Sequence, residues 1–505
     1  AAQTTPGRLS QAASACSTAT IDTELHLPNV TVRSAQADTS GNFTVPGGGP
    51  PLTGLPSFCD VSLAQTDQAG NKITIEVWLP FSWNSSFQGV GGGGYSCGVS
   101  WFALAAAIKQ QYAAASTDCG HSDFTGAFAL NPDRTLNEPL IVDFASVGIH
   151  DMTVTGKAVT TVFYTRQAKF SYFNGCSTGG REGLMEAQQY PADYNGIVSG
   201  APAINWTRFI PAEIWPQLVM KDSNDFLPAC KQTAFTESVI NACDALDGVS
   251  DGIIADPARC DWNPLNLVGL QTPCGTITRT DAEVVAKIWA GPVSTTGQKL
   301  WFGLEPGAPF AGLAGTTTAN GTTTAAPFPI AVSWLGTWVQ QNPSWDWHAL
   351  TDQRFDQLFG QSIAEFSDVI ATDSPNLSAF ERTGGKIIIW HGLADQLIFP
   401  QGTINYYQRV QQAMGGTAKT DEFARLFLAP GATHCGSGVG PAPTDPLHAL
   451  VSWVTRGKAP AQLAADLVDP ATGVTTMSRI LCTYPATAKY TGHGSTNDAK
   501  NYRCT

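Results

Sequence analysis

The 505-residue chain has no run of eighteen apolar residues, and its best candidate, Trp101 to Ile108, is far too short to span a bilayer. No membrane partner is expected. Charge is scarce as well. Only 14% of residues are charged against 43% hydrophobic, a composition for a packed core and not for disorder. The scarcer sign is positive: 28 Lys and Arg face 41 Asp and Glu, a formal net charge of −13. That argues against a nucleic-acid partner, which requires a basic face. Paired C-x-x-C units are missing although there are twelve cysteines, so a zinc site is not expected. Disulfides formed in an oxidising compartment are. The opening AAQTTPG lacks a charged region followed by an apolar one. The expectation is a secreted, extracellular chain whose signal peptide has been removed. Sequons beginning at Asn29, Asn42, Asn84, Asn205, Asn320 and Asn376 permit glycosylation in a eukaryotic secretory route, though chance also produces them in a Ser/Thr-rich chain.

The length predicts a large domain with an insertion, or two to three domains. Residues 1–70 are rich in Ser, Thr, Pro and Gly with weak periodicity, an arm that Cys16 and Cys59 could staple down. Lys72 to Leu79 alternates like a strand. Phe87 to Val90 reads as the next strand and runs into Gly91–Gly94. Trp101 to Gln111 reads as a helix, flanked by Cys97 and Cys119, which could pair.

The chain is organised around Gly175, Cys176, Ser177, Thr178 and Gly179. This G-x-S-x-G lies between a short strand, Lys169 to Asn174, and a helical pattern ending at Gln189. Strand, sharp turn and helix are the setting of a nucleophile elbow, in which the serine Oγ is lifted above an α/β-hydrolase sheet. In a chain with 50 glycines the motif alone is weak and needs partners. An acid and a histidine must follow in that order. Asp395 ends a strand-and-turn, KIIIWHGLAD, and His434 follows the next strand, Glu422 to Leu428. His434 would take the Ser177 proton and return it to the leaving alcohol, while Asp395 fixes the imidazole tautomer. The N–H groups of Thr178 and of Gly93 or Gly94 would hold the oxyanion. His391, His150 and His121 are expected to be hydrogen-bonded structural histidines, and His391 stands poorly placed to partner the acid it precedes. Asp151 and Asp193 are alternative acids in the wrong order or position.

Cys176 directly precedes the serine and Cys435 directly follows the histidine. A disulfide holds its Cα atoms within roughly 4.4–6.8 Å. A bridge between these two would make Ser177 and His434 neighbours; otherwise they are unrelated structural cysteines.

From about Asn205 to Phe380 the character changes to many Trp, Pro, Gly and Thr residues, with a low-complexity loop at Gly315 to Ala326. The expected organisation is an α/β fold. Residues 1–204 and 381–505 form an α/β-hydrolase domain, and residues 205–380 an inserted lid. Within the lid, Asp244, Asp247 and Asp251 with the carbonyls of Val249 and Ile253 could supply the oxygens that a calcium ion wants, and Cys243 and Cys260 could clamp the loop. Such Asp/Gly loops are also ordinary turns.

The blocks GCSTGGREGLMEAQQYPADYNGIVSGAP, WHGLADQLIFP and THCG resemble the tannase and feruloyl esterase family, over nearly the whole chain. The resemblance implies a Ser–Asp–His triad, Ser177, Asp395 and His434, with an active-site disulfide between Cys176 and Cys435. The block CDALDGVSDGIIADP is similar to the family's structural Ca2+ loop. The family pattern further implies bridges Cys16–Cys59, Cys243–Cys260 and Cys482–Cys504, and by elimination Cys97–Cys119 and Cys230–Cys274. Members hydrolyse esters of hydroxycinnamic or gallic acids, and one bacterial relative cleaves mono(2-hydroxyethyl) terephthalate. The implied activity is a serine carboxylesterase acting on a small aromatic ester or a feruloylated polysaccharide fragment. The alternatives are a tannase or a terephthalate monoester hydrolase on the same machinery, or a non-catalytic binding protein on a hydrolase scaffold. Trp334 and Trp338, with Ile398 and Phe399 just after the acid, are candidate substrate contacts, with ordinary core packing as the competing reading.

Overall fold

The computed structural model describes residues 13–505. The opening AAQTTPG, on which the expectation of a processed N-terminus rests, lies outside them. The chain divides into two compact units: residues 1–124, 137–199 and 377–386, and residues 125–136, 200–376 and 387–505.

The first unit is built on strands β1 (Val30–Asp38), β2 (Phe58–Thr66), β3 (Lys72–Pro80), β4 (Ser86–Val90), β5 (Ala113–Thr117), β6 (Phe170–Cys176) and β7 (Gly196–Gly200), in the spatial order β1-β2-β3-β5-β4-β6-β7. The first three and β5 pair antiparallel. From there β5, β4 and β6 run parallel. Parallel neighbours need crossovers, which helices α1 (Trp101–Lys109), α2 (Gly148–Tyr164) and α3 (Thr178–Gln189) supply. Both faces are then covered, and every residue of β5 and β7 is buried.

The arm expected in residues 1–70 contains two nine-residue strands instead. Their pairing slips between Val32 and Ser34. A bulge of this kind breaks the two-residue alternation by which a strand is recognised in sequence. Cys16–Cys59 ties the segment before β1 to β2, and Cys97–Cys119 closes a second bridge in this unit.

The segment before α2 is a π-helix, Asp143–Val147. Arg181 of α3, completely buried, donates to the carbonyls of Phe144 (3.0 Å) and Ala145 (2.6 Å) within it. A widened turn leaves carbonyls without their usual helical partners, and the guanidinium meets two of them.

The second unit contains α4 (Trp206–Ala212), α5 (Ala229–Cys243) and α6 (Asp352–Ile370). They are followed by β8 (Lys386–Gly392), α7 (Pro400–Ala413) and β9 (Ala424–Ala429), the two strands running parallel. An antiparallel pair, β10 (Gln462–Val468) and β11 (Thr475–Cys482), lies near the end of the chain. The low-complexity stretch expected to be a loop is a hairpin, Thr316–Ala319 against Thr322–Ala325. Asn320 and Gly321 form its turn with φ of 50° and 77°, the left-handed pair that a tight hairpin turn demands. Bridges Cys230–Cys274, Cys243–Cys260 and Cys482–Cys504 lie in this unit. No helix of the described residues is long and apolar enough to cross a membrane.

A buried acid sits within the sheet of the first unit. Glu76 of β3 is buried and accepts from Ser62 Oγ on β2 at 2.7 Å. Burial pushes its pKa up to about 8, with the nearby Asp60 adding to the shift. The unfolded chain ionises this group at about pH 4.3 while the fold keeps it protonated, so between about pH 4 and 8 rising pH costs stability. We expect Glu76→Gln to lose less stability than the wild type between pH 5 and 8, read from urea midpoints. Parallel pH dependence of the two proteins would refute this role for Glu76.

Candidate active site

In the first unit β6 ends at Cys176 and α3 begins at Thr178, so Ser177 alone makes the turn. Its φ of 64° and ψ of −125° are strained for a residue with a side chain. The turn closes because glycines let backbones approach. A Cβ at Gly175 would lie 2.5 Å from the Gly179 carbonyl carbon, and a Cβ at Gly91 2.5 Å from the Gly179 Cα. Gly179 N–H donates to Gly92 O at 3.1 Å, and Thr178 Oγ1 to Gly94 O at 2.7 Å. The glycine run is thus laced to the first turn of the elbow helix.

Glu182, which the sequence reading passed over, completes that lacing. It is fully buried and accepts from Gly92 N–H at 3.0 Å. Burial raises its pKa to about 7, against the opposing pull of Arg181 and the Gly92 N–H. The glycine run does not serve uniformly, however. Gly93 N–H donates to Ser96 O at 2.8 Å inside its own loop. A committed N–H is not available to an oxyanion, so the expected donor at Gly93 is withdrawn and Gly94 remains.

In the second unit the turn after β8 carries Asp395 and the turn after β9 carries His434. His434 Nδ1 lies 2.8 Å from Asp395 Oδ2, and the His434 N–H donates to Gln396 Oε1 at 3.1 Å. Asp395 is only 1% exposed, yet its carboxyl is held well below the usual aspartate range. Burial works the other way, and hydrogen bonds from His391 and His434 outweigh it. The N–H groups of Leu397 and Ile398 donate to the other oxygen, each at 2.9 Å. His391 is fully buried, with Nε2 3.0 Å from Asp395 Oδ2. The expectation that it stands poorly placed to partner the acid therefore fails, because the turn after β8 folds Asp395 back over the strand's last residues.

A strained serine in a strand–turn–helix and a buried Asp–His pair are the parts of a serine hydrolase. The family model described as "Tannase and feruloyl esterase" matches residues 59–505. The chain belongs to the tannase and feruloyl esterase family. It is 43% identical over 459 residues to a probable feruloyl esterase of Arthroderma benhamiae, covering 88% of this chain and 85% of that protein. It is 31% identical to a probable feruloyl esterase B-1 of Aspergillus fumigatus, covering 95% and 93%. Among solved structures it resembles feruloyl esterase B from Aspergillus oryzae, with a TM-score of 0.87 at 27% identity, covering 98% of this chain and all of that one. Tannin acyl hydrolase from Aspergillus niger shares the fold, with a TM-score of 0.87 at 24% identity. The architecture is the α/β fold of this family.

The candidate substrate contacts divide. Trp334 and Trp338 lie on a second π-helix, Trp334–Val339, and neither ring is exposed. Trp334 Nε1 donates to Ser362 Oγ at 2.8 Å and Trp338 Nε1 to Gly126 O at 3.1 Å. Both pack against Phe366. These are the marks of core residues, so their placement as pocket contacts is withdrawn. Ile398 and Phe399 are also buried, and the Ile398 backbone serves Asp395.

Asp244, Asp247, Val249, Asp251 and Ile253 form one loop. Asp244 accepts from the N–H groups of Asp251, Gly252 and Ile253 at 3.0–3.3 Å. Gly248 and Gly252 turn it with φ of 91° and 80°. One guanidinium reaches the loop: Arg479 Nη2 lies 2.5 Å from Asp251 Oδ2. The loop keeps an excess of negative oxygens, which fits a hard cation.

Elsewhere His150, Glu186 and Asp193 bring ligand atoms within 4.8 Å of one another. Lys157 Nζ donates to the Asp193 carbonyl and lies 4.0 Å from its carboxylate, so a cation already serves that cluster.

Gly175→Ala is expected to fold with the elbow displaced and to lose at least about 100-fold in esterase kcat/KM, a misplacement of the size that costs such a factor. Wild-type kinetics in this variant would show that the close approach to Gly179 is not required.

Proposed function

We propose that this protein hydrolyses esters of aromatic carboxylic acids, with feruloyl esters of plant cell-wall polysaccharide such as xylan as the main substrate class, outside the cell. The observation that carries the reading is the Asp395–His434 contact of 2.8 Å in a chain whose strained turn residue is a serine. Ser177 would be the nucleophile. His434 would take its proton through Nε2, while Nδ1–H stays on the Asp395 carboxylate. Attack on the ester carbonyl makes a tetrahedral intermediate whose oxyanion would rest on the N–H groups of Thr178 and Gly94. Collapse expels the alcohol, protonated by His434, and leaves the aromatic acyl group on Ser177. Water activated by the same histidine then releases the acid.

The cysteines support this assignment. Cys176 and Cys435 are both disulfide-bonded. The pairing that the family resemblance implies, Cys176 with Cys435, would tie the residue before the nucleophile to the residue after the base. The bridges, the chemistry of an oxidising compartment, also support secretion. Residues 205–380 would act as the lid that selects the acyl group. The Asp244, Asp247 and Asp251 carboxylates with the Val249 and Ile253 carbonyls would hold Ca2+, which supplies rigidity to that loop.

Ser177→Ala is expected to lower kcat/KM on methyl ferulate by about 10^4-fold or more, the loss typical of a missing nucleophile. Cys176→Ala with Cys435→Ala should abolish most activity while far-UV circular dichroism stays near wild type; full activity there would sink the proposed clamp. In a panel of methyl ferulate, methyl caffeate, methyl gallate and the terephthalate monoester, ferulate is expected to show the highest kcat/KM, and a preference for gallate would move the reading to a tannase. Chelation of calcium should lower Tm, and Asp247→Asn should remove that sensitivity.

A further inference from the structure

The acid of the proposed triad is held by more than the triad. His391, the penultimate residue of β8, is fully buried. Two atoms face its Nε2: Asp395 Oδ2 at 3.0 Å and Ile398 O at 3.1 Å. An ionised carboxylate and a carbonyl only accept, so Nε2 carries a proton and donates to both. Nδ1 lies 2.8 Å from Thr403 Oγ1, a hydroxyl on α7 that is also buried. The Thr403 hydroxyl, which can donate to or accept from Nδ1, holds the other edge of the ring and so fixes its orientation.

Asp395 therefore receives four donors from different directions. The Leu397 and Ile398 N–H groups hold Oδ1, and His391 and His434 share Oδ2. Glu213, buried at the end of α4, is the other acid in this environment, and burial together with the charge on Asp395 favours its protonated form. Asp395 is thus the carboxylate that stays charged. With Oδ2 accepting from His391, the remaining direction at that oxygen is open to His434 Nδ1–H.

We propose that His391, oriented by Thr403, is a positioning residue that holds the Asp395 carboxylate in place and so fixes His434 in the tautomer able to accept the serine proton. The inference rests on the triad reading given above. The pair acts through Asp395 and touches no substrate. It explains why a histidine can be sealed in this interior without being the base: both ring nitrogens are satisfied, and one of them grips the acid.

The test compares His391→Leu, His391→Gln and Thr403→Val with Asp395→Asn. Active sites are counted by titration with a serine-directed phosphonate, so that misfolded protein is removed from the rates. His391→Leu is expected to lower kcat by about 100-fold with KM within about twofold, the pattern of a defect confined to the transition state. Loss of a donor leaves more of the carboxylate's charge on the His434 Nδ1–H, so the acid limb of kcat/KM should move to higher pH. A purely structural role would leave that limb in place. Gln retains a terminal N–H at a similar reach, so His391→Gln should restore the rate to within about tenfold of wild type. Thr403→Val should give a smaller loss with the limb moving in the same direction. If His391→Leu matches wild type per titrated site while Asp395→Asn is inactive, the proposal is overturned and the triad stands. If Asp395→Asn retains wild-type rates, the triad reading falls and the proposal with it. A loss in His391→Leu that Gln does not recover, with an unmoved acid limb, also overturns it.

Discussion

A negative charge with almost no contact with water is the constraint from which the second unit's chemistry follows. Asp395 is 1% exposed, and an unpartnered carboxylate there would take up a proton or unfold its surroundings. Four donors prevent this, and each dictates a piece of local structure. The turn after β8 must present the Leu397 and Ile398 N–H groups to one oxygen. The strand must place a histidine where its ring reaches back to the other. The turn after β9 must bring His434 to 2.8 Å. A parallel β–α–β unit does this economically, because both strands end on the same side and both following turns meet there.

The first unit solves a different problem, that of holding a side chain in backbone geometry that side chains avoid. Ser177 stays at φ 64° because the residues around it have nowhere else to go. Gly175, Gly179 and Gly91 pack backbone on backbone, and buried Glu182 ties the glycine run to the elbow helix. One turn away Arg181 anchors the same helix to the π-helical carbonyls at Phe144 and Ala145. The side chains that brace the elbow helix are thus polar and buried, and the helix carries them on successive positions, Arg181 and Glu182.

Much of this could be read before the fold was seen, wherever local pattern and local structure agree. β3, β4, β6 and β8, with helices α1 and α3, stand within a few residues of where the sequence pattern places them. The strands β1 and β2 did not stand out, because a bulge at Val32–Ser34 breaks the period. The Thr-rich hairpin is exposed on both sides along most of its length and so carries no hydrophobic signal at all. Trp334 and Trp338 are four residues apart, a spacing that puts both rings on one face of a helix. Spacing tells which face a ring shares and not whether that face meets solvent or Phe366.

What the sequence determined by itself was chemical identity and order: a serine in G-x-S-x-G, then an acid, then a histidine, with a cysteine beside the first and last. Those features survive translation into three dimensions because they belong to single turns, whose geometry a few adjacent residues dictate. The tertiary structure alone decided how each group is occupied. It committed the Gly93 N–H to Ser96, sealed two tryptophans in the core, and aimed His391 at Asp395. Hydrogen bonds and burial are relations between residues brought together by folding, so no inspection of one segment could have assigned them.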